Sequence, residues 1–351
     1  MQMNILNVLL SRCRRKSMIS LAAALICALL PIADGVAADI QDGATARAER
    51  LPRIVLSGPL AVVTYPLIHM VESGALKEYA DTVEFRVWQT PDQLRVLLAK
   101  HEIDFSAAPS NLPALMFNRG DPVKLLNISV WGLLWIVSSD PQVRDFTDLA
   151  GRELLVPFQR DLPEVLLDTL LTAQQTETQG QAVQIRRTRD TQDAIALMLT
   201  GKGQTALLPE PTASLLLWRA GQHENVSLHR GQNLESAWRA RFPDRAELPQ
   251  AGIMANSHMT GNPELMRAVD RAYAQSAKWC KAHAQQCAEM VNRYIPQLPV
   301  EPVSKAIEIT RLESRSAADI RPQLEALYGL VAGRYPQSIG GKLPAAEFYG
   351  P

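Results

Sequence analysis

Cysteine is scarce in this 351-residue chain: there are four, two of which, Cys13 and Cys27, fall in the first forty residues. Only Cys280 and Cys287 remain beyond them, and with nearby His283 they find no further ligand close in sequence, so a thiolate metal site is not supported. Excess charge is missing too, since 36 Lys and Arg face 36 Asp and Glu. Without a surplus or a basic run past the N-terminal segment, there is no electrostatic case for a nucleic-acid partner. The six histidines (His69, His101, His223, His229, His258 and His283) form no H-E-x-x-H motif, and no serine lies in a G-x-S-x-G elbow. An enzyme is therefore not expected, nor a cofactor. Long apolar runs are also absent: Met18 to Leu30 is short of the roughly 20 residues a bilayer span requires.

That short apolar stretch reads as an export signal over residues 1–38. Arg12, Arg14, Arg15 and Lys16 precede it, and Val36-Ala37-Ala38 offers small residues for cleavage before Asp39. A lipoprotein reading fails because Cys27 follows the bulky Leu25 and Ile26. The expected location is the periplasm, and loss of four cations and Asp34 leaves a formal charge of −3. An oxidising compartment favours a Cys280–Cys287 disulfide. Seven residues of unbroken helix would hold the two Cα atoms about 10 Å apart, beyond the roughly 7 Å a disulfide tolerates. A bond therefore requires a turn, placed here between Ala282 and Gln286; two separate small residues are the alternative.

What the chain does contain is an echo. Val83 to Gly120 and Val183 to Gly221 each read as strand, amphipathic helix, strand and a proline-marked turn into another helix, with Pro109 and Pro209 in matching places. Length gives a prior of two domains, and 47% hydrophobic against 21% charged residues describes a globular protein with a sizeable core. The fold class expected is α/β in two lobes with a cleft between them: residues 52–139 and 252–351 form the first lobe, and 140–251 the second. The chain is expected to cross between lobes near Ser138 to Pro141 and again near Gly252 to Ser257, a hinge of two strands. Residues 222–250 read as polar and irregular, and everything from Gly261 to about Val331 as helical.

Chemistry is expected in the turns that follow the strands, because in an open α/β sheet these loops face one crevice and each following helix presents unpaired N–H groups there. Ser57, Gly58, Pro59 and Leu60 follow the first strand, and Ser110 and Asn111 open a helix with Pro113 in its first turn. Asp161 and Glu164 have capping-box spacing around Pro163. Leu208-Pro209-Glu210-Pro211 opens the helix toward Arg219. Any one of these turns is accounted for by capping alone; together they make a crevice suited to a polar or anionic group. Gln159 and Arg160 add donors, Arg160 for an oxyanion or for a surface pair with Asp161. Glu210 is an acceptor for ligand nitrogen or for its own turn. Trp131 offers a flat wall beside Gly132, or a core indole.

At these residues the chain resembles a known family. Pro122-Val123-Lys124-Leu125-Leu126, Ser129-Val130-Trp131-Gly132, Leu208-Pro209-Glu210-Pro211 and Ile339-Gly340-Gly341-Lys342-Leu343-Pro344 are similar to the nitrate/sulfonate/taurine group of ABC-transporter substrate-binding proteins, over Arg53 to Tyr349. The resemblance implies a periplasmic-binding-protein fold of type II. It implies a monomer that closes on a small-molecule solute and delivers it to a membrane permease driven by an ATPase. Carried over by position, it places ligand contacts at Ser57, Gly58, Pro59, Leu60, Ser110, Asn111, Ser129, Trp131, Gly132, Gln159, Arg160, Asp161 and Glu210. Bulky Phe158-Gln159-Arg160-Asp161 departs from the small residues common in that turn. A small organic anion is the expected solute; the alternatives are a solute sensor, or a pyrimidine binder or enzyme of the same fold.

Overall fold

The computed structural model describes residues 50–159, 161–174 and 181–351. The expected export signal and Arg160 lie outside the described residues. Among the described residues no helix is long and apolar enough to cross a membrane.

The chain enters through β1 (Leu51–Gly58), α1 (Tyr65–Glu72), β2 (Ala80–Val87), α2 (Pro91–Ala99), β3 (Phe105–Pro109), α3 (Asn111–Asn118) and β4 (Lys124–Val130). It continues with β5 (Leu134–Ser138), β6 (Glu153–Val156), α4 (Leu162–Gln174), β7 (Gln184–Arg187), α5 (Thr191–Leu199), β8 (Thr205–Pro209), α6 (Thr212–Ala220), β9 (His229–Asn233) and α7 (Leu234–Arg241). Last come β10 (Ala251–Ala255), α8 (Pro263–Ala282), α9 (Ala284–Tyr294), α10 (Val300–Ile309), β11 (Leu312–Ser316) and α11 (Arg321–Arg334).

Two sheets result, in strand orders β11-β4-β10-β3-β1-β2 and β7-β6-β8-β5-β9. The echo is visible in both. In each, a central strand (β3, β8) lies parallel to one neighbour (β1, β6) and antiparallel to the other (β10, β5). The antiparallel strand is the one reached by crossing from the other sheet. Ile54, Val55 and Leu56 are buried in succession, as expected of a strand covered on both faces. The paired helices begin alike: Thr90 accepts the N–H of Gln93 at 3.2 Å ahead of α2, and Asp190 that of Asp193 at 2.8 Å ahead of α5.

Three expectations differ from the structure. The first crossing falls at Trp131–Leu133, not after Ser138, because β5 already belongs to the second sheet, and the second falls before Ala251, not over Gly252–Ser257, because β10 already belongs to the first. Residues 222–250 hold β9 and α7, and the helical C-terminal stretch is interrupted by β11. Both strands are edges of their sheets, with one flank free to carry charged side chains. The helix pair α8 and α9 breaks at His283 alone, which brings the Cα atoms of Cys280 and Cys287 to 5.2 Å, and the two are bonded.

The core beneath the second sheet, with Leu134, Ile136 and Leu154, runs without a break into Tyr328, Val331 and Phe348 of the C-terminal segment. A network of charges spans the same region. Arg311, next to β11, donates to Glu235 of α7 at 3.1 Å, to Glu247 at 2.9 Å and to Glu313 at 3.2 Å. Arg315 donates to Glu247 at 2.8 Å. Both guanidinium groups lie over the Trp131 ring, 5.0 and 4.9 Å from its centroid.

Candidate ligand-binding site

A cavity of about 170 Å³ lies where the carboxyl ends of β1, β3, β6 and β8 converge. Its first-sheet wall is Pro59, Val62, Val63 and Pro109; its second-sheet wall is Phe158, Asp161, Leu162 and Glu210; Leu133 and Gln250, from the two crossings, form its base. The lining is overwhelmingly apolar, and its charged members among the described residues are both acidic.

The turn after β1 is shaped from behind. A Cβ on Gly58 would stand 2.3 Å from Thr64 Oγ1, so glycine is required for Thr64 to reach back and donate to the Pro59 carbonyl at 2.6 Å. Tyr273 donates its hydroxyl proton to the Val63 carbonyl at 2.8 Å, which makes Ser129 the donor in the 2.7 Å bond between Ser129 and Tyr273. Ser129 thus supports the wall through Tyr273. Ser110 likewise donates to Pro249 O at 2.7 Å while its carbonyl accepts from Tyr328 at 2.8 Å, pinning the β3 turn to the returning chain. Gln250 accepts the Leu133 N–H at 2.9 Å and joins the two crossings.

Against this satisfied scaffold, a few buried polar atoms have no protein partner. They include the hydroxyls of Ser57 and Tyr65 and Oδ1 of Asn111. Ser57 is the penultimate residue of β1, and Tyr65 starts α1, separated only by Thr64 from the cavity-lining Val62 and Val63. Burial, then the negative charge of Glu210, pushes the Tyr65 phenol above its ordinary range, so it stays protonated and available as a donor. Orphaned polar groups of this kind cost about 1–3 kcal/mol each unless something bonds them.

On the opposite wall the carboxylate is already paired, although Trp135 Nε1 nearby has no partner. Glu210 is buried, takes the guanidinium of Arg230 on one oxygen, and accepts the Ser214 N–H at 3.2 Å on the other. Arg230 also donates to Ser214 Oγ at 2.9 Å and lies over Trp135, 4.9 Å from its centroid. Burial pushes the Glu210 carboxyl up, while Arg230 and Ser214 pull it back. Asp161 accepts the Leu162 N–H at 2.7 Å at the start of α4. It also accepts from Asn111 Nδ2 at 3.1 Å, a bond that joins the two walls. Two further contacts tie helices of the C-terminal segment to helices of the second sheet: Arg334 of α11 pairs with Asp168 of α4, and Trp218 of α6 donates to Glu301 of α10 at 3.0 Å.

The residues named from sequence therefore divide. Pro59, Asp161 and Glu210 line the cavity; Ser57 and Asn111 carry unpartnered atoms without lining it, Asn111 being bonded to the lining Asp161. Ser110 and Ser129 stand behind the wall. Leu60 packs on the core of the first sheet, and Gln159 is exposed. Trp131 is wholly buried, with Nε1 donating to Glu313 O at 2.7 Å, and does not line the cavity. Gly132 allows close approach not of a ligand but of Glu235, whose Oε2 would be 2.5 Å from an added Cβ. Tyr65, Phe158, Arg230 and Gln250 were not singled out from sequence as contacts. Only Phe158, as a bulky departure in its turn, carried a signal.

No protein-family model and no curated protein matches the chain. Solved structures do. An ABC transporter protein from Parabacteroides distasonis aligns with a TM-score of 0.71 at 20% identity, over 86% of this chain and 99% of that one. The periplasmic aliphatic sulphonate-binding protein SsuA of Escherichia coli gives 0.64 at 12%, over 86% and 92%. The periplasmic nitrate-binding protein NrtA of Synechocystis PCC 6803 gives 0.60 at 14%, over 84% and 83%. At such identities the likeness is one of fold, and the chain has the two-sheet α/β fold of the ABC-transporter periplasmic binding proteins.

Proposed function

We propose that this protein is the periplasmic solute-binding component of an ABC importer, which encloses a small solute between its two lobes and presents it to a membrane permease. The observation that carries the reading is the cavity itself, walled by strand ends of both sheets, with the unpartnered hydroxyls of Ser57 and Tyr65 on the segments that flank its Pro59–Val63 wall in sequence. Its volume, about 170 Å³, is close to the roughly 150 Å³ that encloses a benzene ring. The solute that suits it has a compact apolar body and one polar head able to accept from Ser57 and Tyr65. Because the charged lining residues are acidic and already bonded, an uncharged head fits the described walls better than an anion. Contacts that the solute makes only in the closed form would supply the differential affinity for closure, about 5.5 kcal/mol for a shift from 1:99 to 99:1.

A small organic anion is the second reading, favoured by Arg160 in the turn before α4. Thermal-shift and calorimetric titration with one ring or short alkyl skeleton bearing in turn hydroxyl, amide, carboxylate and sulfonate heads separates the two. The proposal expects the uncharged members to bind and Arg160→Ala to leave them unaffected. Selective binding of the sulfonate, weakened tenfold or more in Arg160→Ala, establishes the anion reading instead. Failure of every member to bind contradicts both.

A further inference from the structure

At the end of the first lobe opposite the cavity, three side chains are arranged in a way that solute binding does not use. Pro109 pairs with Ala251 at the cavity end of β3 and β10, whereas Phe105 pairs with Ala255 at the far end. There Asp104, just before β3, and His258, just after β10, meet His101 from the end of α2. His258 Nε2 lies 2.6 Å from Asp104 Oδ1, and Asp104 Oδ2 accepts the Val55 N–H at 2.7 Å. Asp104 is buried and its position is fixed by that backbone bond. A carboxylate takes an N–H and offers none, so it sets His258 as the Nε2–H tautomer and leaves the Nδ1 lone pair free. That Nδ1 faces Nδ1 of His101 at 3.0 Å.

His101 reaches this position at a backbone cost. Its φ of 54° is the only positive value at a non-glycine among the described residues. The equivalent position a hundred residues on, after α5, is Gly201, with φ 69°. A side chain in this left-handed region is unfavourable by roughly 1–2 kcal/mol, and such outliers gather where a fixed geometry has a use. The second lobe has Gly201 and Gln204 where the first has His101 and Asp104.

We propose that His101 and His258 form a surface binding site for a divalent transition-metal ion of the class that prefers imidazole, namely zinc, nickel or copper. Two imidazoles on one ion at about 2.0–2.1 Å, with roughly 90–110° between them, set their ligating nitrogens some 2.9–3.4 Å apart. The 3.0 Å spacing falls within that interval. Binding needs only a shift of the His101 proton from Nδ1 to Nε2, and Asp104 is the outer carboxylate that orients a ligating imidazole. Among the described residues no group of three or more His, Cys, Asp or Glu side chains is arranged to hold a metal, so water completes this two-imidazole site. Both rings reach solvent, which gives the ion entry. Arg95 and Arg119 line a neighbouring cavity with His101; Arg95 is paired with Asp92. The ion would tie the α2–β3 turn to the chain leaving β10, on the side of the sheet end remote from the solute.

The test is titration of zinc, nickel and copper chlorides into tag-free, chelator-stripped protein, read by calorimetry and thermal unfolding. One ion per chain is expected, with a rise in Tm of about 4 °C at roughly 100 times Kd. His101→Gly should unfold no earlier than the wild type in chelator, since glycine relieves the backbone, yet lose the metal-dependent rise. His258→Gln should lose it as well, and Asp104→Asn should weaken binding about tenfold. Absence of saturable binding in the wild type, or binding that persists in both histidine variants, overturns the proposal and leaves the pair as a hydrogen bond alone.

Discussion

The two walls of the cavity are built on the same strand–turn–helix outline and do opposite things with it. Pro109 and Pro209 end equivalent strands, and Asn111 and Thr212 begin the helices that follow. On the first-lobe side, Ser57, Tyr65 and Asn111 keep polar atoms without partners. On the second-lobe side, Glu210 spends both oxygens on Arg230 and the Ser214 backbone. A repeat of architecture is thus not a repeat of chemistry. One wall retains unused hydroxyls, while the other spends its buried carboxylate on its own scaffold.

The largest expected effect comes from breaking the second-lobe pair. Glu210→Ala leaves the half-buried Arg230 without its carboxylate and should cost about 3 kcal/mol of stability in urea unfolding, the low end for breaking a buried pair because water still reaches the guanidinium. Ser110→Ala, at the equivalent place in the first lobe, removes one neutral bond and should cost about 0.5–3 kcal/mol. Equal costs would dissolve the contrast between the walls. Next in size is Tyr65→Phe, which deletes an orphaned hydroxyl. It should weaken solute binding by about tenfold in calorimetry, the worth of one good hydrogen bond, while stability stays level or rises. A loss of stability with unchanged affinity would reassign Tyr65 to the scaffold.

Asn111→Ala removes the bond to Asp161 that joins the walls, a contribution of about 0.5–1.5 kcal/mol. Small-angle scattering of the solute-free protein should show a larger radius of gyration; an unchanged radius would mean that the Arg334–Asp168 and Trp218–Glu301 contacts suffice to hold the arrangement. The smallest effect concerns pH at the crossing. Burial would raise the Glu247 carboxyl, but hydrogen bonds from Arg311 and Arg315 outweigh it and hold it below its ordinary value. A depressed carboxyl contributes stability that is present above the unfolded value of about 4.3 and lost as pH falls through the folded one. Glu247→Gln should therefore narrow the fall in Tm on acidification below about pH 4.3; an unaltered slope would show that the pair adds nothing.

Much of this was legible in the sequence because it is local. The echoed strand–helix–strand outline ending at Pro109 and Pro209 holds in both sheets, since apolar periodicity and capping residues sit within a few positions of each other. The cavity-facing turns were found for the same reason, each following its own strand. Tyr65 and Arg230 were not, because what singles them out is a neighbour some 145 and 20 residues away, Glu210, that only the fold brings near. Trp131 shows the converse. An indole at the crossing reads equally as ligand wall or core, and two arginines from β11 and its approach decide for the core. His229–Asn233 and Leu312–Ser316 escaped notice as strands because polar edge strands carry no alternating pattern.

Hydrogen exchange with and without the tightest member of the matched skeleton series tests most directly whether one solute is held by both walls. The account requires protection to appear together in the Ser57–Tyr65 segment of the first lobe and in the Asp161–Val165 and Leu208–Ser214 segments of the second. Protection confined to one lobe, or absent from both, would contradict it.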